Sequence, residues 1–277
     1  MPTRLYSYKF PLDTRNWKTR EGLILEWNDG WGEIAPLPGF SRETLEEART
    51  EILSLLPNLS NAKPTLPSVQ FGLACASKPF SLDPIRIPLC ALGPKPNFST
   101  VKLKLGHLSL DEALSLVKQH YKNHRLRLDF NRKWSLEQAL SFAKHFQPDD
   151  FEYLEEPTPD LLTFSKQTHF PIAIDESFFD SPWEQIPSLK AIVVKPTLHG
   201  ALPKTHLPIV LSSSYESGLG LLHIARLANC SFPIGLDTYD AFQDNLLTIT
   251  CKDGIFSWQP TPQPINLSKL CLIASVP

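Results

Sequence analysis

Between Val101 and Pro196 the chain carries four short apolar runs, each closing on a charged residue: LRLDFN on Asp129, EYLEEP on Glu155, IAIDES on Asp175 and VVKP on Lys195. Just upstream lies VKLKLG, with Lys102 and Lys104. Side chains alternate faces along a strand, so the two lysines share one face, as do Arg127, Asp129 and, if the strand runs on, Asn131. Parallel strands joined by helices and closed into a barrel would bring these charges together at the strands' C-terminal ends, where barrel enzymes keep their sites. Three carboxylates then ring one point, with a lysine on either side.

The rest of the chain fits that constraint. Arg4 to Phe10 and Leu23 to Trp27 read as strands, with GWGEIAP a third after the Asn28-Asp29-Gly30 turn. Ser41 stands as the N-cap of a helix carrying Leu45, Ala48, Ile52 and Leu55 at helical spacing until Pro57, and a second helix starts near Pro67. From Ile85 the rhythm becomes short strand, helix, short strand. Strands are expected near 86–92, 100–105, 124–130, 151–156, 171–176, 190–196, 208–214 and 234–238. Helices are expected over Ser109–Tyr121, Ser135–Phe146, Pro159–Thr168 and Gly218–Cys230. After the fifth strand there is room for only one or two turns, and after the sixth the segment with Pro203 can hardly hold a helix, so the outer ring should be thin there. TITCKDGIFSWQP reads as a strand pair returning to the N-terminal α+β unit.

Composition excludes several classes. With 27 basic against 29 acidic side chains and a formal charge of −2, there is no electrostatic footprint for nucleic acid or an anionic membrane. No signal peptide and no apolar run of 18 residues is visible. Cys75, Cys90, Cys230, Cys251 and Cys271 are odd in number and scattered, which points to reduced thiols in a cytoplasmic protein. No Ser-His-Asp order, glycine-rich phosphate loop or CxxC is present, and His223 reads as packed on its helix.

Oxygen ligands from three adjacent strands suit Mg²⁺, a hard cation that keeps positions open for water or substrate, with Mn²⁺ as a substitute. The absence of Cys and His from these strand ends argues against zinc. Lys104 is the candidate base: a lysine acts as one only when its ammonium is disfavoured, and Lys102 on the same face supplies that positive charge. Such a site suits removal of a proton α to a carboxylate. Arg127 either orients a substrate carboxylate or lines the barrel wall. Ser212, Ser213 and Ser214, ahead of Gly218 opening a helix, either offer hydroxyls and backbone N–H groups to an anion or form a polar strand end with its cap.

The order of GWGEIAPLPGF, PSVQFGLACA, KLKLG, LRLDFNRKW, LEEP, IDES, VVKPT, SSSYESGLGL and GLDT, from about Gly30 to Asp240, resembles the enolase superfamily and, within it, the o-succinylbenzoate synthase family of menaquinone biosynthesis. The resemblance implies an enolase-type modified (β/α) barrel over residues 85–240, an N-terminal α+β capping domain over 1–84, and a segment, 241–277, that returns to the cap. It implies Mg²⁺ held by Asp129, Glu155 (the first glutamate of its pair) and Asp175, with Asn131 beside the ligands. Lys104 and Lys195 flank the metal, Lys195 as an electrostatic stabiliser, and the loop from Pro36 to Phe40 lies over the substrate. The implied activity is a lyase reaction on a small dicarboxylate by a monomer or weak oligomer. N-succinylamino acid racemisation, dipeptide epimerisation and lactone-forming cycloisomerisation are the reactions of relatives, and a binding protein on a degenerated barrel is the non-catalytic rival. Dipeptide epimerases place two carboxylates two residues apart at the eighth strand to hold an ammonium; here those positions are Gly235 and Asp237, one acid only.

Overall fold

In the computed structural model, which describes residues 2–180, 182–228 and 232–277, the inner and outer faces of the expected strands separate cleanly. Seven parallel strands lie in the order β11-β10-β9-β8-β7-β6-β5: β5 (Ala91–Leu92), β6 (Thr100–Lys104), β7 (Arg125–Asp129), β8 (Phe151–Glu155), β9 (Ile172–Ile174), β10 (Leu189–Val194) and β11 (Ile209–Leu211). Val101, Leu103, Leu126, Leu128, Leu154 and Ile192 point outward into the main core. Tyr153, Ala173, Ala191, Val193 and Val210 fill the inside. The eighth expected strand is reduced to bridges: Ile234 pairs with Leu89 and Gly235 with Ser212, both parallel, and these close the ring.

Helices cover the outer face where the sequence has room for them: α3 (Leu110–His120), α4 (Leu136–Ala143), α5 (Leu161–Thr168) and α7 (Gly218–Arg226), with α6 (Pro196–His199) a single turn between α5 and α7. Ser109 with Glu112 and Ser135 with Gln138 form capping boxes, which satisfy N–H groups left open at a helix start. Phe130, Phe142, Phe146 and Phe151 pack ring against ring beneath α4, with neighbouring centroids between 5.0 and 6.4 Å apart. Among the described residues, short 3-10 turns at Glu176–Phe178 and Trp183–Gln185 are all that forms after β9, and α6 all after β10, so the ring of helices is thin on that side as expected. The predicted helix end at Cys230 falls outside the described residues; Cys75, Cys90, Cys251 and Cys271 are free thiols.

The N-terminal residues form an antiparallel sheet, β14-β1-β2-β3, from β1 (Thr3–Pro11), β2 (Thr19–Trp27), β3 (Gly30–Ile34) and, from the far end of the chain, β14 (Cys271–Val276). α1 (Leu45–Leu55) and α2 (Pro67–Ala76) pack on it around Leu25, Ile34, Ile52 and Val69. Two expectations need correction. Thr44, not Ser41, caps α1, because Glu47 sits three residues on and completes a capping box, whereas Ser41 Oγ accepts from Leu37 N and closes a turn. The strand pair β12 (Thr250–Lys252) and β13 (Ile255–Trp258) joins β4 (Ile85–Pro88) at the barrel rather than the cap, since Ile85 to Pro88 offers it an open edge. It is β14 that pairs with β1. No helix among the described residues is long and apolar enough to cross a membrane.

His223, on α7, packs edge-on against Phe80 at 6.1 Å, and its Nε2 is buried with no partner among the described residues. Burial, together with the Arg226 charge, pushes its imidazole down to about 4 from an ordinary 6.5. Between those values the unfolded chain binds the proton and the fold does not, so stability falls as pH falls from 6.5 towards 4. We expect His223→Leu to remove roughly 2 kcal/mol of that acid loss. Denaturant melts of both proteins at pH 7 and pH 4.5 measure it; equal acid losses would show that His223 is not responsible.

Candidate active site

The register of the strands sets the site. Lys104 pairs with Asp129 and Asp129 with Glu155, so these three inward residues stand at one level, one layer above Lys102, Arg127 and Tyr153. Lys102 Nζ bridges two carboxylates, 2.8 Å from Asp129 Oδ2 and 2.7 Å from Glu155 Oε1. Lys195, just past β10, pairs with Asp175 on the other side. Lys104 lines the same cavity, solvent-exposed and without an ion pair among the described residues. Burial, reinforced by the neighbouring carboxylates Asp129 and Asp175, pushes Glu155 up to about 8 even against the pull of Lys102. Burial acts the same way on Asp129, but Lys102 outweighs it and holds that carboxyl below its usual range.

Glu155 and Glu156, indistinguishable by position alone, diverge in the fold. The chain turns at Glu156 with φ 48°, sending its side chain away from the cavity, where Oε1 accepts from Asp175 N at 2.8 Å and Ser177 N at 2.7 Å. Glu156 therefore fixes the turn that presents Asp175, while Glu155 faces the cavity. Asn131, also at positive φ, donates its backbone N–H to Asp129 Oδ1 at 3.0 Å and its amide to Glu176 Oε1 at 3.3 Å.

Among the described residues no three His, Cys, Asp or Glu side chains converge as a metal-holding group, because Lys102 and Lys195 reach in between the acids. The donors nonetheless fit magnesium: all are carboxylate oxygens, and Glu155 Oε2 is buried with no hydrogen-bond partner among the described residues, an arrangement costly for a carboxylate unless a cation or donor meets it.

On the substrate side, the hydrogen bonds favour one of the two readings left open for Arg127 and for the segment opening α7. Arg127 is 1 % exposed; it donates to Glu152 at 2.8 and 3.3 Å and to Pro233 O at 2.8 Å, so its fork is engaged in the barrel wall. A bulge in β8 opposite Leu126 and Arg127 brings Glu152 to it. The N-terminus of α7 is not open to an outside anion either. Gly218 N donates to Asn245 Oδ1, and Gly220 N donates to the carboxylate of Glu33, from the cap. The serines do line the cavity: Ser212 Oγ donates to Gly235 O at 3.3 Å, Ser213 Oγ shares a hydrogen bond with Thr238 Oγ1, and Ser214 Oγ is buried without a partner among the described residues. Gly235 sits against them; a Cβ there would lie 2.9 Å from Ser212 Oγ.

Sequence reasoning missed the loop between β1 and β2. Asn16 and Trp17 lean over the cavity, with the Trp17 ring 5.5 Å from Tyr215 and 5.9 Å from Phe40. A tryptophan in an otherwise polar loop was the available signal. Leu37 and Phe40, from the expected covering loop, line the same cavity. Lys95 was also missed: its Nζ lies 2.7 Å from the nearly buried Asp237 carboxylate, which accepts from Leu92 N as well.

A closed parallel barrel with acids and lysines on successive strand ends, under an antiparallel cap, defines a member of the enolase superfamily, and residues 92–195 match the family model described as Enolase C-terminal domain-like. Residues 2–80 match MenC, N-terminal domain. The o-succinylbenzoate synthase of Klebsiella pneumoniae (strain 342) is 36% identical over 292 residues, covering 85% of this chain and 90% of that one. The chain belongs to the o-succinylbenzoate synthase family. Among solved structures, o-succinylbenzoate synthase from Thermosynechococcus elongatus BP-1, complexed with Mg in its active site, superposes with a TM-score of 0.69 at 23% identity over 88% of this chain and 95% of that one. The L-Ala-D/L-Glu epimerase of Bacillus subtilis superposes with a TM-score of 0.70 at 17% identity over 99% and 98%. Proteins named for different reactions thus share this fold.

Proposed function

We propose that the protein is a Mg²⁺-dependent lyase that dehydrates 2-succinyl-6-hydroxy-2,4-cyclohexadiene-1-carboxylate to 2-succinylbenzoate in menaquinone biosynthesis. The observation that carries this reading is the set Lys104, Asp129, Glu155, Asp175 and Lys195 around one cavity, in a chain 36% identical to a synthase over most of its length. Residues 1–84 serve as the cap and 85–240 as the barrel; of the segment 241–277, β12 and β13 stay with the barrel and β14 returns to the cap. Asp129, Glu155 and Asp175 would hold the metal once Lys102 and Lys195 withdraw from them. Bound there, Mg²⁺ supplies Lewis-acid stabilisation of negative charge on a substrate carboxylate, and Mn²⁺ substitutes for it.

Lys104 takes the proton α to that carboxylate. The C–H pair shifts towards the carboxylate carbon, and the Lys195 ammonium stabilises the charge that develops. Lys104, now protonated, gives its proton to the departing hydroxyl; the C–O bond breaks, water leaves and the ring becomes aromatic. One lysine thus serves as base and then acid. Ser212, Ser213, Ser214 and Gly235 shape the pocket for the second carboxylate, and Asn131 braces Asp129.

The pairing of Lys95 with Asp237 favours a dicarboxylate over an ammonium-bearing substrate, because the acid at the eighth strand already has its cation. We place the protein in the cytoplasm as a monomer or weak oligomer, without nucleic-acid or membrane partners. Purified protein with Mg²⁺ is expected to form 2-succinylbenzoate and to lose that activity with chelator. The same assay run beside dipeptides and N-succinylamino acids tests the substrate; a dipeptide turned over far faster than the diene would overturn the assignment.

A further inference from the structure

Two buried ions of the cap reach into the barrel beside the cavity. Arg20, on β2 and 2 % exposed, makes no ion pair among the described residues; its guanidinium is bound by backbone carbonyls. Nε donates to Tyr215 O at 2.8 Å, and Nη2 reaches towards Ser214 O at 3.5 Å. Nη1 donates to Pro36 O at 2.8 Å, and Nη2 also to Ala35 O. One planar fork thus holds a loop of the barrel and a loop of the cap. Both run directly into residues that line the cavity: Ser214 and Tyr215 on one side, Leu37 and Phe40 on the other.

Glu33, on β3 and 1 % exposed, makes the second tie. It accepts from Ser217 N at 2.9 Å, Ser217 Oγ at 2.6 Å, Gly220 N at 2.8 Å and the Tyr8 hydroxyl. The cap carboxylate therefore sits at the N-terminus of α7, where backbone N–H groups favour an anion. A Cβ on Gly220 would lie 2.6 Å from Glu33 Oε2, so the fit requires glycine.

Between these ties Tyr215 adopts φ 57°, a left-handed conformation that costs a bulky residue about 1 kcal/mol or more and persists only when its surroundings enforce it. The conformation places its ring against Trp17, across the mouth.

We propose that Arg20 is a positioning residue for substrate binding: by tying the Ala35–Pro36 carbonyls to the Ser214–Tyr215 carbonyls, it sets the width of the mouth and holds Tyr215 against Trp17, with Glu33 anchoring the same barrel loop from its other end. Arg20 contacts none of Lys102, Lys104 or Lys195, so its effect falls on binding and not on proton transfer. Lysine cannot replace it, since an ammonium lacks the planar fork that serves both loops at once.

The test uses Arg20→Lys and Arg20→Met in the full chain, and its kinetic arm rests on the proposed dehydration. KM is expected to rise roughly tenfold or more in both variants, with kcat within about threefold of the parent. Backbone amide exchange should quicken at residues 214–217 and 37–41 while β6 to β8 stay protected. A KM unchanged in both variants, or a loss confined to kcat, would overturn the proposal. Glu33→Gln provides a second variant should Arg20→Met fail to fold, with faster exchange expected at Ser217 and Gly220. Exchange needs no substrate: parent protein inert towards the diene would sink the activity alone, whereas unaltered protection at 214–217 in Arg20→Lys would sink this inference.

Discussion

Lys104→Ala is expected to lower dehydration by roughly 10³-fold or more while leaving the fold intact, because one side chain both accepts the α-proton and returns it to the leaving hydroxyl. The fold should survive: Lys104 is exposed at the end of β6, and its side chain makes no hydrogen bond or ion pair among the described residues. Lys104→Arg should fail nearly as badly, since guanidinium stays protonated at any working pH. Exchange of the substrate's α-hydrogen with solvent, followed by NMR in D₂O, isolates the first proton transfer and should vanish in both variants. Exchange that persists in Lys104→Ala and disappears in Lys195→Ala would reverse the roles of the two lysines.

Asp129→Asn and Asp175→Asn are expected to weaken Mg²⁺ binding at least roughly 100-fold each, more than the loss of a residue that merely braces a ligand. Calorimetric titration with the metal alone reads this without substrate. Asp129→Asn removes one of the two ion pairs of Lys102, leaving that with Glu155, and Asp175→Asn removes the ion pair of Lys195, so a stability measurement belongs beside the titration. Metal affinity unchanged in both variants would remove the magnesium site from these carboxylates.

What the sequence made legible was whatever strand parity controls. Lys102, Lys104, Arg127 and Asp129 face inward because alternation admits one answer once the outer face is apolar. The choice between Glu155 and Glu156 lay beyond parity, since it depends on a left-handed turn after β8 whose stabilising donors, Asp175 N and Ser177 N, come from the next strand and its loop. The cap of α1 was in principle readable, as Thr44 and Glu47 have the reciprocal spacing that Ser41 lacks. The pairing of β13 with β4, the salt bridge from Lys95 to Asp237 and the reach of Arg20 into the barrel join residues more than a hundred positions apart. No local pattern encodes such meetings. Arg127 illustrates the same limit: its phase was right, yet a bulge in the neighbouring strand decided that it would bind Glu152.

The pairing of β14 with β1 has a consequence for how the protein is made. The cap's first three strands leave the ribosome early, but the strand that covers the β1 edge follows Ile34 by roughly 240 residues, on the order of ten to fifty seconds of synthesis at ordinary elongation rates. Throughout that interval β1 exposes an unpaired ladder, the kind of edge that recruits strands from other nascent chains. The β1 edge is covered only once β14 has emerged, which makes the N-terminal sheet the part of the fold open to such pairing in the meantime.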